Sequence, residues 1–381
     1  MTSEERKERR YWRRRKRRNE KRGTSCDNFD EVFSYRNLYR AYQKCRKNVT
    51  WKGSVQKYVT QAPLMVFQTT ERLRKETWKS SGFYEFDVCE RGKTRHIRSV
   101  NFDERIVQRC LCDNALVPGL GRSFIYDNAA SLQDKGYHFA LARLETHLQK
   151  HYRKHGNAGY ILLFDFRKYF DNVPHRLCKE ILRAAFADQK LIRLTEYFLD
   201  AFGDKGLGLG SQISQTFALA APGRIDHYVK DICGIRGYGR YMDDAYVICE
   251  NKDRLKEILS EIRMICREIG IKLNEKKTHI VKLSHGFTFL QARIYLTESG
   301  KIIRKIPRKS VTRERKKLKK LSRLVDAGRM SFAGAHASFQ SWRAYAENFK
   351  AWKTIQKMSA LFDDLFVWPW AGTIGKSLAH E

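Results

Sequence analysis

The sequence predicts an α+β fold with a mainly antiparallel sheet. Three observations lead there. Strand-like runs come as hairpin pairs rather than alternating singly with helices, which argues against a doubly wound parallel sheet. Long helical stretches flank them on both sides. The chain has 381 residues, 42% of them hydrophobic, enough for a sizeable core divided into subdomains.

Charge narrows the partners. The formal net charge is +33, so a polyanion is expected, with nucleic acid first and an anionic membrane surface second. No apolar run reaches the ~18 residues of a spanning helix, and no short apolar region follows the basic N-terminus as a signal peptide would. The nine cysteines are scattered. Cys110 and Cys112 are the only close pair and CxxC is absent, which argues against zinc and suits a reducing cytoplasm.

Residues 1–24 form one dense basic arm, read either as a solvated helix or tail or as a phosphate-binding segment with Tyr11 and Trp12 available for stacking. Helices are expected over residues 33–48 and 69–82, the second ended by Gly82. "FYEFDVCERGKTRHIRSV" alternates around Gly92 and reads as a hairpin with a basic tip. A helix with Asp103 as N-cap follows, then another over 136–156 closed by Gly156. "YILLFDF" is a short apolar strand. Residues 175–186 and 190–202 are helical, and a glycine-rich loop then leads into a helix ahead of the pair around "GRYMDDAYVIC". An amphipathic helix ended by Gly270 comes next, then a hairpin turned at Ser299–Gly300. From Lys309 onward the chain is helical and basic with tryptophans interleaved.

The chemistry concentrates in three aspartates. Asp165 ends one strand, and Asp243 and Asp244 sit at the turn of another. If those strands are neighbours, three carboxylates meet at one edge, and such a group stays ionised only beside cations. Hard divalent ions with oxygen ligands answer that need, and two of them suit transfer of a nucleotide to a 3′-hydroxyl with pyrophosphate leaving.

These motifs resemble reverse transcriptases over about residues 90–295. "FDFRKYFDNVPH" (164–175) is similar to the family's first catalytic strand and "YMDD" (241–244) to its second. "GIKLNEKKTHI" (270–280) is similar to the segment after the palm helix, "KTRHIRSVNFDERIVQ" (93–108) and "YDNAASLQDKGYHFA" (126–140) to fingers motifs. The resemblance implies a right-hand polymerase. Its expected parts are a basic arm (1–24), N-terminal helices and fingers (25–160), palm (161–295, with fingers-type helices near 176–203) and a helical thumb with a C-terminal tail (296–381).

It also implies roles. Asp165 and Asp243 would hold two Mg²⁺ or Mn²⁺ ions, with Asp244 assisting and the Phe166 carbonyl as an extra ligand. Phe170 would be the aromatic wall that rejects a 2′-hydroxyl. Arg95, with Lys93 or Arg91, would grip the incoming triphosphate, bidentately in the case of arginine. Lys277 resembles the lysine that protonates pyrophosphate, with Lys276 beside it as a competitor. Asp171 reads as structural, a cap for the following helix. The basic helix 309–324 would follow duplex backbone.

"LGLGSQISQ" (207–215) resembles the reverse transcriptases of diversity-generating retroelements. Leu209 precedes Gly210, and Ser214–Gln215 close the motif, where many relatives carry a glutamine before the glycine. Leu209, Gly210 and Gln215 are thus expected at the nucleotide. Loss of a polar side chain there would loosen discrimination against mispairs. Gln291 in "FLQAR" replaces the glycine of the family's primer grip, so unusual priming is an expectation. The implied partners are template RNA, primer, cDNA, deoxynucleotides and a small basic accessory protein, with no membrane, for a cytoplasmic protein that is bacterial or phage-encoded. The alternatives are an antiphage-defence or group II intron-like enzyme, or a non-catalytic RNA-binding scaffold.

Overall fold

The structure, a computed structural model, describes residues 25–90 and 93–366 together with Glu5 and Arg9, the side chains of residues 90 and 93 excepted. The rest of the expected basic arm, the Gly92 turn, Arg91, the Lys93 side chain and the C-terminal tail from 367 lie outside the described residues. Two compact units emerge: Met1–His147 with Leu162–Ile280, and Leu148–Ile161 with Val281–Glu381.

In the first unit, α1 (Tyr35–Cys45), α2 (Gly53–Thr60) and α3 (Ala62–Arg74) precede the first hairpin. Each buries one apolar stripe, Leu38, Ala41 and Tyr42 in α1. α3 stops at Arg74, well short of Gly82. The amides of Thr77 and Trp78 both turn back to the Arg72 carbonyl, at 2.9 and 3.2 Å, with Glu76 left-handed at φ 54°. Trp78 then packs edge-on against Tyr197 and Phe198. A tertiary anchor, not a glycine, ends the helix.

β1 (Phe83–Glu90) and β2 (Lys93–Val100) pair antiparallel from Phe83↔Val100 to Glu90↔Lys93. One face carries cross-strand ion pairs, Arg98 to Glu85 at 3.0 Å and His96 to Asp87 at 2.9 Å. α4 (Phe102–Leu111) follows with Asn101, not Asp103, at its N-cap position; Asp103 lies in the first turn, where its charge favours the helix dipole. α5 (Tyr137–His155) ends at Gly156, as its sequence implies.

The central sheet has the order β4-β5-β3-β6. Its strands are β3 (Tyr160–Phe164), β4 (Tyr238–Tyr241), β5 (Asp244–Cys249) and β6 (His279–Lys282). Between β3 and β4 run α6 (His175–Ala185), α7 (Gln189–Asp200), α8 (Gln212–Ala220) and α9 (Gly223–His227). Asp188 caps α7 through the amides of Lys190 and Leu191. Asp171 caps nothing: it lies inside the short helix Tyr169–Asn172, and α6 begins after Pro174 without a side-chain cap. α10 (Lys252–Ile269) is capped by Asn251, and Leu255, Ile258, Ile262, Ile265 and Ile269 are among its buried residues. Each such side chain contributes roughly 1.5–3 kcal/mol when fully buried.

The second unit holds a three-stranded meander, β7 (Phe287–Phe289), β8 (Ala292–Leu296) and β9 (Ile302–Lys305). The single hairpin expected over this stretch is therefore two, because Phe289 pairs with Ala292 across a Leu290–Gln291 turn. α11 (Arg308–Asp326), α12 (Phe332–Glu347) and α13 (Trp352–Phe366) bury Leu318, Leu321, Phe339, Trp342, Met358 and Phe362 in a common core. Phe339 and Phe362 stack at 4.8 Å. Among the described residues no helix is long and apolar enough to cross a membrane.

Candidate active site

β3 and β5 are neighbours in the central sheet. Asp165 directly follows β3, Asp243 is in the two-residue turn between β4 and β5, and Asp244 opens β5. A short apolar strand thus delivers one carboxylate and a hairpin delivers two.

Asp165 is buried, with 4% of its surface exposed. Its carboxylate accepts from Lys277 Nζ at 2.6 Å and Asn274 Nδ2 at 3.0 Å, and its carbonyl accepts from the Asn274 amide at 2.8 Å. Asn274 carries no mark in the sequence beyond a polar residue after an apolar strand-like run. Its double hold on Asp165 appears only because Phe166 pairs with Leu273 in the fold.

The three carboxylates feel one another. Burial, and then the Asp165 charge, push Asp243 above the usual carboxylate range. Burial first, then the charges of Asp243 and Asp165, push Asp244 up to about 7. Burial acts to lower the Lys277 pKa, but the hydrogen bond and charge of Asp165, then Asp244 and Asp243, outweigh it and hold it above the ordinary lysine value. Among the described residues no three His, Cys, Asp or Glu side chains form a ready-made metal-ligating group; a lysine ammonium is the cation on Asp165 instead. The donor chemistry fits hard divalent ions all the same. All three acids are oxygen donors, and the like charges that help raise Asp243 and Asp244 are what a bound cation would offset.

Phe166 is buried against Phe164 and Tyr169, with ring centroids 6.0 and 5.3 Å away. Phe170 is half-buried and meets Tyr169 edge-on at 5.9 Å. The glycine-rich loop packs on its backbone: the Leu207 amide donates to the Phe170 carbonyl at 2.6 Å. A Cβ at Gly208 would fall 2.0 Å from the Phe202 ring, so any larger residue there would have to displace that ring. Gly210, at φ 102°, faces Ile97 and the Arg98 carbonyl of β2. Leu209 is half-buried and Gln215 exposed. The same loop therefore touches the Phe170 segment at one end and the hairpin that carries Arg95 at the other. Arg95 is exposed on β2, opposite Val88 in register.

Ser211 caps α8 and donates to Gln108 Oε1 at 3.2 Å; Gln108 in turn donates to Glu104 at 3.0 Å. This buried relay ties the loop to α4 and was not legible in the sequence.

The residues 38–294 match the family described as reverse transcriptase (RNA-dependent DNA polymerase). The chain belongs to that family. It shares the α+β polymerase fold, and solved telomerase structures are similar to it. Telomerase from Candida albicans, in complex with a fragment of telomeric RNA, is 12% identical with a TM-score of 0.44, over 72% of this chain and 54% of that one. Apo telomerase from Candida tropicalis is 15% identical with a TM-score of 0.44, over 76% and 59%. The chain thus spans little more than half the length of these telomerases. No curated protein matches the sequence.

Proposed function

We propose that this chain is an RNA-directed DNA polymerase whose active centre is Asp165, Asp243 and Asp244. The observation that carries the reading is the adjacency of β3 and β5, which carry Asp165 and the Asp243–Asp244 turn, with Lys277 on Asp165 at 2.6 Å. Two Mg²⁺ or Mn²⁺ ions, held by the three carboxylates and the Phe166 carbonyl, would supply activation of the primer 3′-hydroxyl and neutralisation of the leaving pyrophosphate.

The chain's own residues do the rest. Arg95 and Lys93 hold the incoming triphosphate, and Phe170 walls off the 2′ position of its sugar. Leu209, Gly210 and Gln215 line the nascent base pair, with an apolar side chain, Leu209, directly before the glycine. Lys277 holds a proton for the pyrophosphate. Its side chain is 61% exposed, so the ammonium can turn from Asp165 toward an arriving polyphosphate. Arg308, Lys309, Thr312, Arg313 and Lys316 line a groove of about 370 Å³ on α11, and this basic face suits nucleic-acid backbone.

The apolar Leu209 beside Gly210 supports the finer reading of an error-prone retroelement enzyme. Leu209→Gln then lowers misincorporation opposite template adenines, and an unchanged error spectrum removes that setting. Primer extension on an RNA template with deoxynucleotides tests the activity itself. Asp165→Ala abolishes extension while leaving the protein folded. A wild type that binds RNA but extends no primer with either Mg²⁺ or Mn²⁺ is a scaffold, not a polymerase. Phe170→Ala admits ribonucleotides; unchanged sugar discrimination would remove the wall from Phe170.

A further inference from the structure

The β4–β5 turn is under strain. Met242 occupies its first position with φ 54°, a left-handed conformation that favours glycine. Something must hold that backbone, and the structure shows what does.

Arg240 is 1% exposed. Its Nε donates to Asp226 Oδ1 at 2.9 Å and its Nη2 to Asp226 Oδ2 at 2.7 Å, a two-pronged pair from β4 to α9. Tyr238 Oη adds a third bond to Asp226 at 2.6 Å. Nη2 also donates to the Leu219 carbonyl at 2.7 Å, which ties the fork to α8. The remaining prong, Nη1, donates to the Met242 carbonyl at 2.9 Å. The Arg240 backbone is fixed as well. Its amide donates to the Asp127 carbonyl at 3.1 Å, and its carbonyl accepts from Ala129 at 2.9 Å. Asp127 is itself gripped by Arg143 at 2.6 Å and Lys230 at 2.7 Å.

A peptide group is planar, so the Met242 carbonyl and the Asp243 nitrogen move together. Anchoring that oxygen fixes where the Asp243 Cα begins. We infer that Arg240, locked by Asp226, is a positioning residue that holds the Met242–Asp243 peptide and so places the Asp243 carboxylate for nucleotide transfer. This rests on the polymerase reading above. Charge alone does not suffice: lysine would keep the ion pair but lacks a rigid fork able to serve Asp226, Leu219 and Met242 at once.

The test is single-nucleotide primer extension with wild type, Arg240→Lys, and Arg240→Lys combined with Met242→Gly, each normalised to folded protein by thermal melting. Hydrogen exchange of the peptide spanning 239–245 is read in parallel. Arg240→Lys lowers kcat by roughly 10- to 100-fold, as small displacements of a reacting group do, with the nucleotide KM within about 3-fold. Exchange at the turn speeds up. Met242→Gly, which takes the left-handed turn without strain, restores at least ~10-fold of the lost kcat in the lysine background. If Arg240→Lys does not fold, the neutral pair Arg240→Gln with Asp226→Asn, with and without Met242→Gly, carries the same comparison.

Unchanged kcat per folded molecule, a loss confined to KM, or no rescue by Met242→Gly overturns the inference. A wild type inactive in extension fails the polymerase reading instead, and the exchange rates still decide whether Arg240 holds the turn.

Discussion

Among the turns in the described residues, two two-residue hairpin turns do without glycine where backbone geometry favours it. In β4–β5 the left-handed residue is Met242; in β7–β8 both Leu290 and Gln291 are left-handed, at φ 46° and 62°. The second pattern is that of a type I′ turn, usually Asn-Gly. They differ in what holds them. The Met242 carbonyl receives a charged donor from a fully buried arginine at 2.9 Å. The Gln291 carbonyl receives the Tyr345 hydroxyl at 3.5 Å, at the outer limit of a hydrogen bond. Strain of ~1–3 kcal/mol per residue persists only where the surroundings impose it. The first turn is imposed by buried charge and carries a candidate catalytic acid. The second carries no acid, and it stands where the resembled family keeps a glycine.

Breaking the brace should have the largest effect. Arg240→Met leaves Asp226 buried without its partner and costs about 3–5 kcal/mol of stability, read by urea unfolding. A cost below ~1 kcal/mol would mean that the pair does not hold the turn.

The charge on the first turn gives the next contrast. Asp244 keeps its proton in the folded state up to about pH 7, while its ordinary value is 3.8. Between those two values the unfolded chain releases a proton that the fold retains. Metal-free stability therefore falls as pH rises through that window and levels off above it. Asp244→Asn removes this slope, so the variant gains on wild type between pH 4 and pH 8 in thermal melts. Added Mg²⁺ raises the wild-type melting temperature at pH 8 and moves Asp244→Asn less.

Relaxing the second turn comes third. Leu290→Asn with Gln291→Gly supplies the residues a type I′ turn prefers and stabilises by about 1–2 kcal/mol, after the extra unfolded-state freedom of glycine is subtracted. A destabilised variant would show that the two side chains are needed for packing.

The sequence exposed what depends on local pattern. "YILLFDF" and "YMDDAYVIC" are apolar runs interrupted by acids, and a buried acid without a visible partner marks a site. The helices 175–186 and 251–270 followed from periodicity, and the second also from its Gly270 stop, which is left-handed at φ 74°. What escaped depends on distant pairing. Asp226 and Arg240 are joined only after a π-helical turn at Tyr228–Ile232 brings α9 back to β4. Asp127 and Ala129 bond to Arg240 as an added edge beside β4, from the segment that resembles a fingers motif. α3 ended at Arg74 because Trp78 found Tyr197 and Phe198, contacts no local propensity encodes. Lys277 was visible by resemblance, but its grip on Asp165 together with Asn274 required the fold.

The central claim is that Asp165, Asp243 and Asp244 form one reactive centre, and Asp243→Asn tests it most directly. The substitution is nearly isosteric and removes one charge from a repelling group. The account predicts a variant at least as stable as wild type whose single-turnover extension of an RNA-templated primer falls by ~10³-fold or more. A folded Asp243→Asn protein that extends the primer within about 10-fold of wild type would contradict it.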